Sequence, residues 1–147
     1  MAASAFLIYS LAKKYIGNGT IILGTTVLKL KLCTSASNAS TFTLSVMSGI
    51  TGEISARGGY AAGGRSLLSM VWTVGASAKS YKFDAADLVF TASGSALNNC
   101  KFAVIGVGTS ANGKALCWSK LSTAQFTVAS PNTLTIQFNA AGILTLV

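Results

Sequence analysis

An all-β domain, a sandwich or a barrel with one short helix at its N-terminus, is the fold this chain predicts. Three observations point to it. Beyond residue 20 the apolar residues come in short runs separated by Gly, Ser, Asn and Pro, a spacing that suits strands and turns. Val27-Leu28-Lys29-Leu30-Lys31-Leu32-Cys33 alternates without a break. Asn112-Gly113 stands between two apolar runs, a strong short-range signal for a tight hairpin.

Taken in order, residues 4–16 predict the helix. Leu7, Leu11 and Tyr15 fall on one stripe, Ser4 is placed to cap it, and Lys13 and Lys14 suit the negative end of its dipole. Gly17-Asn18-Gly19 stops it. In Val27–Cys33 the leucines face a core, while Lys29 and Lys31 share the outer face. Ser35–Thr41 is a polar loop. Phe42–Val46 fits a short strand or a helical turn, and Gly52–Tyr60 a weak strand. Leu67–Val74 predicts one strand containing Trp72. Ser80–Phe83 and Leu88–Ala92 are strands split by the turn Asp84-Ala85-Ala86-Asp87. Phe102–Gly108 is a continuous apolar run, as a strand buried on both faces requires. Lys114–Trp118 follows the hairpin, and Gln125–Val128, Leu134–Phe138 and Ile143–Val147 complete the set. No linker or repeat divides residues 1–147, and a chain of this length buries ~68–70% of its unfolded surface in one core.

Composition narrows the function. Hydrophobic residues make up 51% and charged residues only 10%, against a usual charged share of roughly 25%. So little charge fits a surface that largely meets other protein. Eleven Lys and Arg stand against three acids, for a net charge of +8. That balance favours an acidic partner. Apart from Lys13-Lys14 the bases are scattered singly: no polybasic run marks a nucleic-acid or heparin patch. Phe83, Phe90, Phe102, Trp118, Phe126 and Phe138 sit at strand positions typical of a core, which argues against a stacking platform for single-stranded nucleic acid. Residues 5–12 are apolar but lack a preceding basic segment, so no signal peptide is expected, and no run is long enough to span a membrane.

The same inventory argues against catalysis. There is no histidine, so Ser–His and Cys–His nucleophiles and His-ligated zinc are excluded. Glu53, Asp84 and Asp87 are the only acids, too few for a calcium cage. Asp84 and Asp87 are expected to bond their own turn. Cys33, Cys100 and Cys117 lie in apolar runs and predict three reduced, buried thiols, in keeping with assembly in a reducing cytoplasm. Gly58-Gly59-Tyr60-Ala61-Ala62-Gly63-Gly64 lacks the Lys-Ser/Thr ending of a phosphate loop and reads as a bend bracketed by Arg57 and Arg65. No cofactor, metal or small-molecule substrate is expected.

Two longer segments carry a resemblance. Phe83-Asp84-Ala85-Ala86-Asp87-Leu88-Val89-Phe90-Thr91-Ala92-Ser93-Gly94 and Leu134-Thr135-Ile136-Gln137-Phe138-Asn139-Ala140-Ala141-Gly142-Ile143-Leu144-Thr145-Leu146 resemble, in order and spacing, two elements of small virion proteins of tailed bacteriophages. The 57–64 bend is similar to a third element, from which it departs at Arg57 and Ala61. Where the relatives have a core strand and an acidic turn, this chain has Lys101–Thr109, which keeps the strand and lacks the acids. The resemblance implies a capsid cement or decoration protein of the particle's outer surface, made in the bacterial cytoplasm. With it, the fold expectation narrows to a single antiparallel β-sandwich of jelly-roll type. The implied partner is the major capsid protein, with self-association as a dimer or trimer. Arg57, Arg65, Lys79, Lys82, Lys29 and Lys31 are the contact candidates, and with so few acids most of these charges are expected to lack internal partners. A tail, head–tail connector or fibre-knob subunit, and a single-stranded nucleic-acid binder, remain as alternatives.

Overall fold

The computed structural model describes residues 5–108, 110 and 112–147. In chain order it contains β1 (Leu7–Ile8), α1 (Ser10–Gly17), β2 (Leu28–Cys33), β3 (Arg65–Ser66), β4 (Val71–Val74), β5 (Tyr81–Asp84) and β6 (Leu88–Thr91). β7 (Leu97–Cys100), β8 (Phe102–Val107), β9 (Ala115–Lys120), β10 (Phe126–Val128), β11 (Thr133–Ile136) and β12 (Leu144–Leu146) follow. The fold is all-β and sandwich-like, with antiparallel sheets and one α-helix among the described residues.

Its organising feature is nesting. β8 pairs with β9, β7 with β10, β6 with β11 and β5 with β12, all antiparallel. This is one long hairpin folded over on itself, the strand pairing of a jelly roll. The hairpin's tip lies between β8 and β9, where Asn112-Gly113 predicts it. The other strands extend this frame. β2 and β3 add beside β8, β1 adds beside β9, and β4 adds beside β5.

The core sits on both faces of β8 and β9. Ala103, Val104, Ile105, Leu116 and Cys117 are fully buried. Leu28, Leu30 and Leu32 of β2 are buried on one side, as the alternation predicts. The segment between β2 and β3 crosses the opposite face. There Met47 fills the space above Gly106, where a Cβ would meet its Sδ at 2.3 Å, and Phe42 meets the edge of Trp118. The Tyr9 hydroxyl donates to the Ala39 carbonyl at 2.6 Å and ties the start of α1 to this crossing.

The N-terminus differs from the helix expected over 4–16. Leu7 and Ile8 pair with Trp118 and Cys117 as a strand, and the helix begins only at Ser10, with Tyr9 at its N-cap. Ser4, the expected cap, lies outside the described residues. An open edge on β9 takes Leu7 and Ile8 into the sheet despite their helical spacing. Leu67–Val74 is not one strand either: Ser69 at φ 50° separates β3 from β4. Gly52–Tyr60 contributes a single bridge, Glu53 to Cys33, and Phe42–Val46 runs from a turn to a single bridge, Val46 to Lys114, before the 3-10 turn at Met47–Gly49.

All three thiols are buried and free. Burial pushes the Cys33 and Cys100 thiols up to about 11 and moves the Cys117 thiol and the Tyr9 and Tyr60 phenols upward as well. Native protein should therefore react with almost no thiol reagent at neutral pH, and at all three sites once denatured. Stability should also fall in alkali. Between about pH 8.5 and 11 the unfolded chain releases thiol protons that the native state keeps, so the stabilisation is complete below that window and lost as pH rises through it. A thermal midpoint that stays flat from pH 8 to 11 would contradict the burial.

Candidate partner-binding surfaces

The glycine-rich bend is built around Glu53. The bridge between Glu53 and Cys33 sets this side chain beside the edge of β2. Its Oε1 accepts from the Tyr60 hydroxyl at 2.7 Å and from the Gly63 amide at 2.6 Å, and its Oε2 lies 3.3 Å from Lys31 Nζ. The Tyr60 hydroxyl in turn accepts from the Leu32 amide at 3.2 Å. One carboxylate thus ties the bend to β2. Glu53 stands alone in the sequence, and only the tertiary fold reveals its role.

The six basic candidates divide into two groups. Lys31 is paired with Glu53, Lys82 donates to Asp84 at 3.2 Å and to the Ala140 carbonyl at 2.7 Å, and the Arg65 guanidinium donates to the Val89 carbonyl on β6. The expectation that these bases lack internal partners fails for all three: Glu53 holds Lys31, Asp84 on the same strand and the Ala140 carbonyl hold Lys82, and Val89 of β6 holds Arg65. Arg57 and Lys79 are exposed and Lys29 is half-buried. Among the described residues these last three make no ion pair. The structure does not gather the six into one patch, since Lys29 and Lys31 share the outer face of β2 while Lys79 and Lys82 belong to the β4–β5 end.

The acids are occupied by structure. Asp84 Oδ1 accepts from the Ala85 amide and its Oδ2 holds Lys82, while Asp87 Oδ1 accepts from the Phe138 amide at 2.9 Å. The turn therefore fastens β5 and β6 to the segment joining β11 and β12.

One exposed surface is apolar and lies on a single sheet. In the β12–β5–β4 sheet, Leu144, Phe83 and Trp72 form one cross-strand row and Leu146, Tyr81 and Val74 the next. Alternation puts both rows on the same face. Phe83 is fully buried, but Val74, Tyr81 and Leu146 are 49%, 46% and 64% exposed. The apolar face runs out past the core. Trp72 and Tyr81 stack on it, ring centroids 5.9 Å apart. The opposite face carries Thr73, Lys82 and Thr145 in one row and Val71 and Asp84 in the next. Sequence reasoning placed Trp72 inside a strand but had no signal for its exposure, because burial depends on which sheet ends where.

A separate groove of about 450 Å³ lies between two sheet edges, with Phe6, Leu7 and Ile8 on the β1 side and Phe138, Ile143 and Leu144 on the β12 side. Among the described residues no helix is long and apolar enough to cross a membrane.

Fold and surface together define an all-β, sandwich-like protein whose acids serve structure and which exposes an apolar face on one sheet. No family model, curated protein or solved structure matches this chain.

Proposed function

We propose that the protein is a structural component of a tailed-phage particle, a cement or decoration protein that binds major capsid subunits on the outer shell. The observation that carries this reading is the coherence of the three segments that resemble such proteins. Residues 83–94 supply the end of β5 and all of β6, and residues 134–146 supply most of β11 and all of β12, so the two segments pair with each other strand for strand. The 57–64 bend packs on them: the Ser93 amide donates to the Gly58 carbonyl, and a Cβ at Gly58 would meet the Ser95 carbonyl oxygen at 2.4 Å. Together they form one contiguous unit, and the exposed Trp72–Tyr81 face belongs to the sheet that this unit builds. Tryptophan and tyrosine are the side chains that most often dominate protein–protein contacts. Weak single contacts of this kind become firm attachment when many copies sit on one symmetric shell.

Quantifying the protein in purified particles tests the proposal. A cement protein should be present in on the order of hundreds of copies, against about a dozen for a ring at one vertex. Absence from particles would overturn it. A count near a dozen would point instead to a connector or tail subunit. A steep salt-dependent affinity for single-stranded nucleic acid, with no particle association, would replace it by the nucleic-acid alternative.

A further inference from the structure

One concave feature of the surface is cationic. A pocket of about 290 Å³ opens over the outer face of β2, walled by Lys29, Lys31, Met47, Ser48, Gly63 and Gly108. β2 sets Lys29 and Lys31 two residues apart on one face, about 7 Å between Cα atoms. The glycines beside them let neighbouring side chains pack closely, Met47 over Gly106 and the Lys29 stem over Gly108. Gly106 is the strand partner of Lys29. At Gly108 a Cβ would meet Lys29 Cγ at 2.4 Å and Cδ at 2.6 Å, so the lysine stem lies directly against that glycine and its path is set by packing.

The charges do not cancel. Of the two lysines lining the pocket, Lys31 is paired with Glu53 and Lys29 has no carboxylate partner, leaving one positive charge uncompensated. Glu53 cannot serve both lysines. Its Oε2 is taken by Lys31, and its Oε1 already accepts from Tyr60 and Gly63. Among the described residues the Lys29 ammonium makes no ion pair or side-chain hydrogen bond. Ser48 also lines the pocket. A partly enclosed site with uncompensated positive charge attracts an anion more strongly than an open surface does.

The chemistry selects among anions. A carboxylate brings one negative charge and matches the one left over. A phosphate group would bring about −1.5 to −2 and call for the backbone donors or arginine forks that usually hold it. Here the Gly63 amide is already committed to Glu53, and no guanidinium lines the pocket. We propose that this pocket receives the carboxylate of an acidic side chain of the protein partner. The partner's identity as a protein shell rests on the function proposed above, whereas the pocket's anion specificity does not.

The test uses the full-length, ¹⁵N-labelled protein at constant ionic strength, titrated with a capped glutamate peptide and, separately, with inorganic phosphate. Glutamate should move the amide signals of Lys29, Gly63 and Gly108 saturably. Shifts with phosphate but not glutamate would overturn the carboxylate assignment, and no shift with either would overturn the site. Lys29→Met keeps the stem against Gly108 and removes the charge. It should abolish the glutamate response, leave the thermal midpoint unchanged, and weaken binding to shells about tenfold. Should Lys29→Met fold poorly, Lys29→Gln takes its place, and the wild-type titrations stand without either variant. Shell binding unchanged in a variant that no longer answers glutamate would overturn the partner's carboxylate as occupant while leaving the shell function intact. Failure of the wild type to bind shells would instead strike the proposed function, with the titration still deciding the pocket.

Discussion

Gly64→Ala is expected to remove about 3–5 kcal/mol of stability, most of what a domain of this size has. Gly64 sits at φ +82°, where an L side chain costs roughly 1–2 kcal/mol. The larger part is collision. An added Cβ would meet the Leu30 carbonyl oxygen at 2.1 Å, its carbon at 2.6 Å and Lys31 Cα at 3.0 Å. Every one of these atoms is backbone of β2, which pairs with β8 on one side and β3 on the other, so no flexible side chain can move aside. Moving β2 would also disturb Leu28, Leu30 and Leu32, all fully buried. Gly63→Ala is the control. It has φ +90° but nothing within 4 Å of its would-be Cβ, so only the backbone cost of about 1–2 kcal/mol should appear. Urea midpoints measure both. Equal midpoints for the two variants would mean that the bend does not press on β2 as described.

That contrast shows how much of the molecule a sequence can carry. The elements legible from the chain are those whose signal is local. β2 alternates, β8 is apolar throughout, Asn112-Gly113 turns the hairpin, and Asp84 bonds the neighbouring Ala85 amide as expected, whereas Asp87, expected to bond its own turn, accepts from the distant Phe138 amide. The elements that escape depend on distant partners. β1 has helical spacing yet pairs with β9 because an edge is available there. β7, Leu97-Asn98-Asn99-Cys100, has the composition of a turn, and Asn99 does take φ 61°, but pairing with β10 makes it a strand. The surfaces follow the same division. The basic face of β2 is visible in its alternation. The engagement of Arg65 by Val89, of Lys82 by Ala140, and of Lys31, Tyr60 and Gly63 by Glu53 joins residues that only the folded sheet brings together. The exposed end of the β4–β5–β12 face is likewise invisible in a sequence where Trp72 and Phe83 look alike.

Trp72→Ala should weaken attachment to shells by about 30-fold per site, roughly 2 kcal/mol, while the protein stays folded. Trp72 lies at the border of the apolar face, 37% exposed, between fully buried Phe83 and the exposed row of Val74, Tyr81 and Leu146. Its ring stacks on Tyr81, so the two form one rigid aromatic surface that loses little conformational entropy when covered. Truncation removes both the tryptophan contact and the support that holds Tyr81 in place. The cost to folding should be smaller, about 1–2 kcal/mol, because the ring is only partly buried. Val89→Ala supplies the comparison. Val89 is 41% exposed on β6, away from this face, and its truncation should leave attachment unchanged. Co-sedimentation with shells, read at several protein concentrations, gives the affinities, and circular dichroism confirms that both variants remain folded. Should Trp72→Ala decorate shells as well as Val89→Ala does, the aromatic face is not the contact, and the basic pocket on β2 and the groove between β1 and β12 become the next surfaces to test.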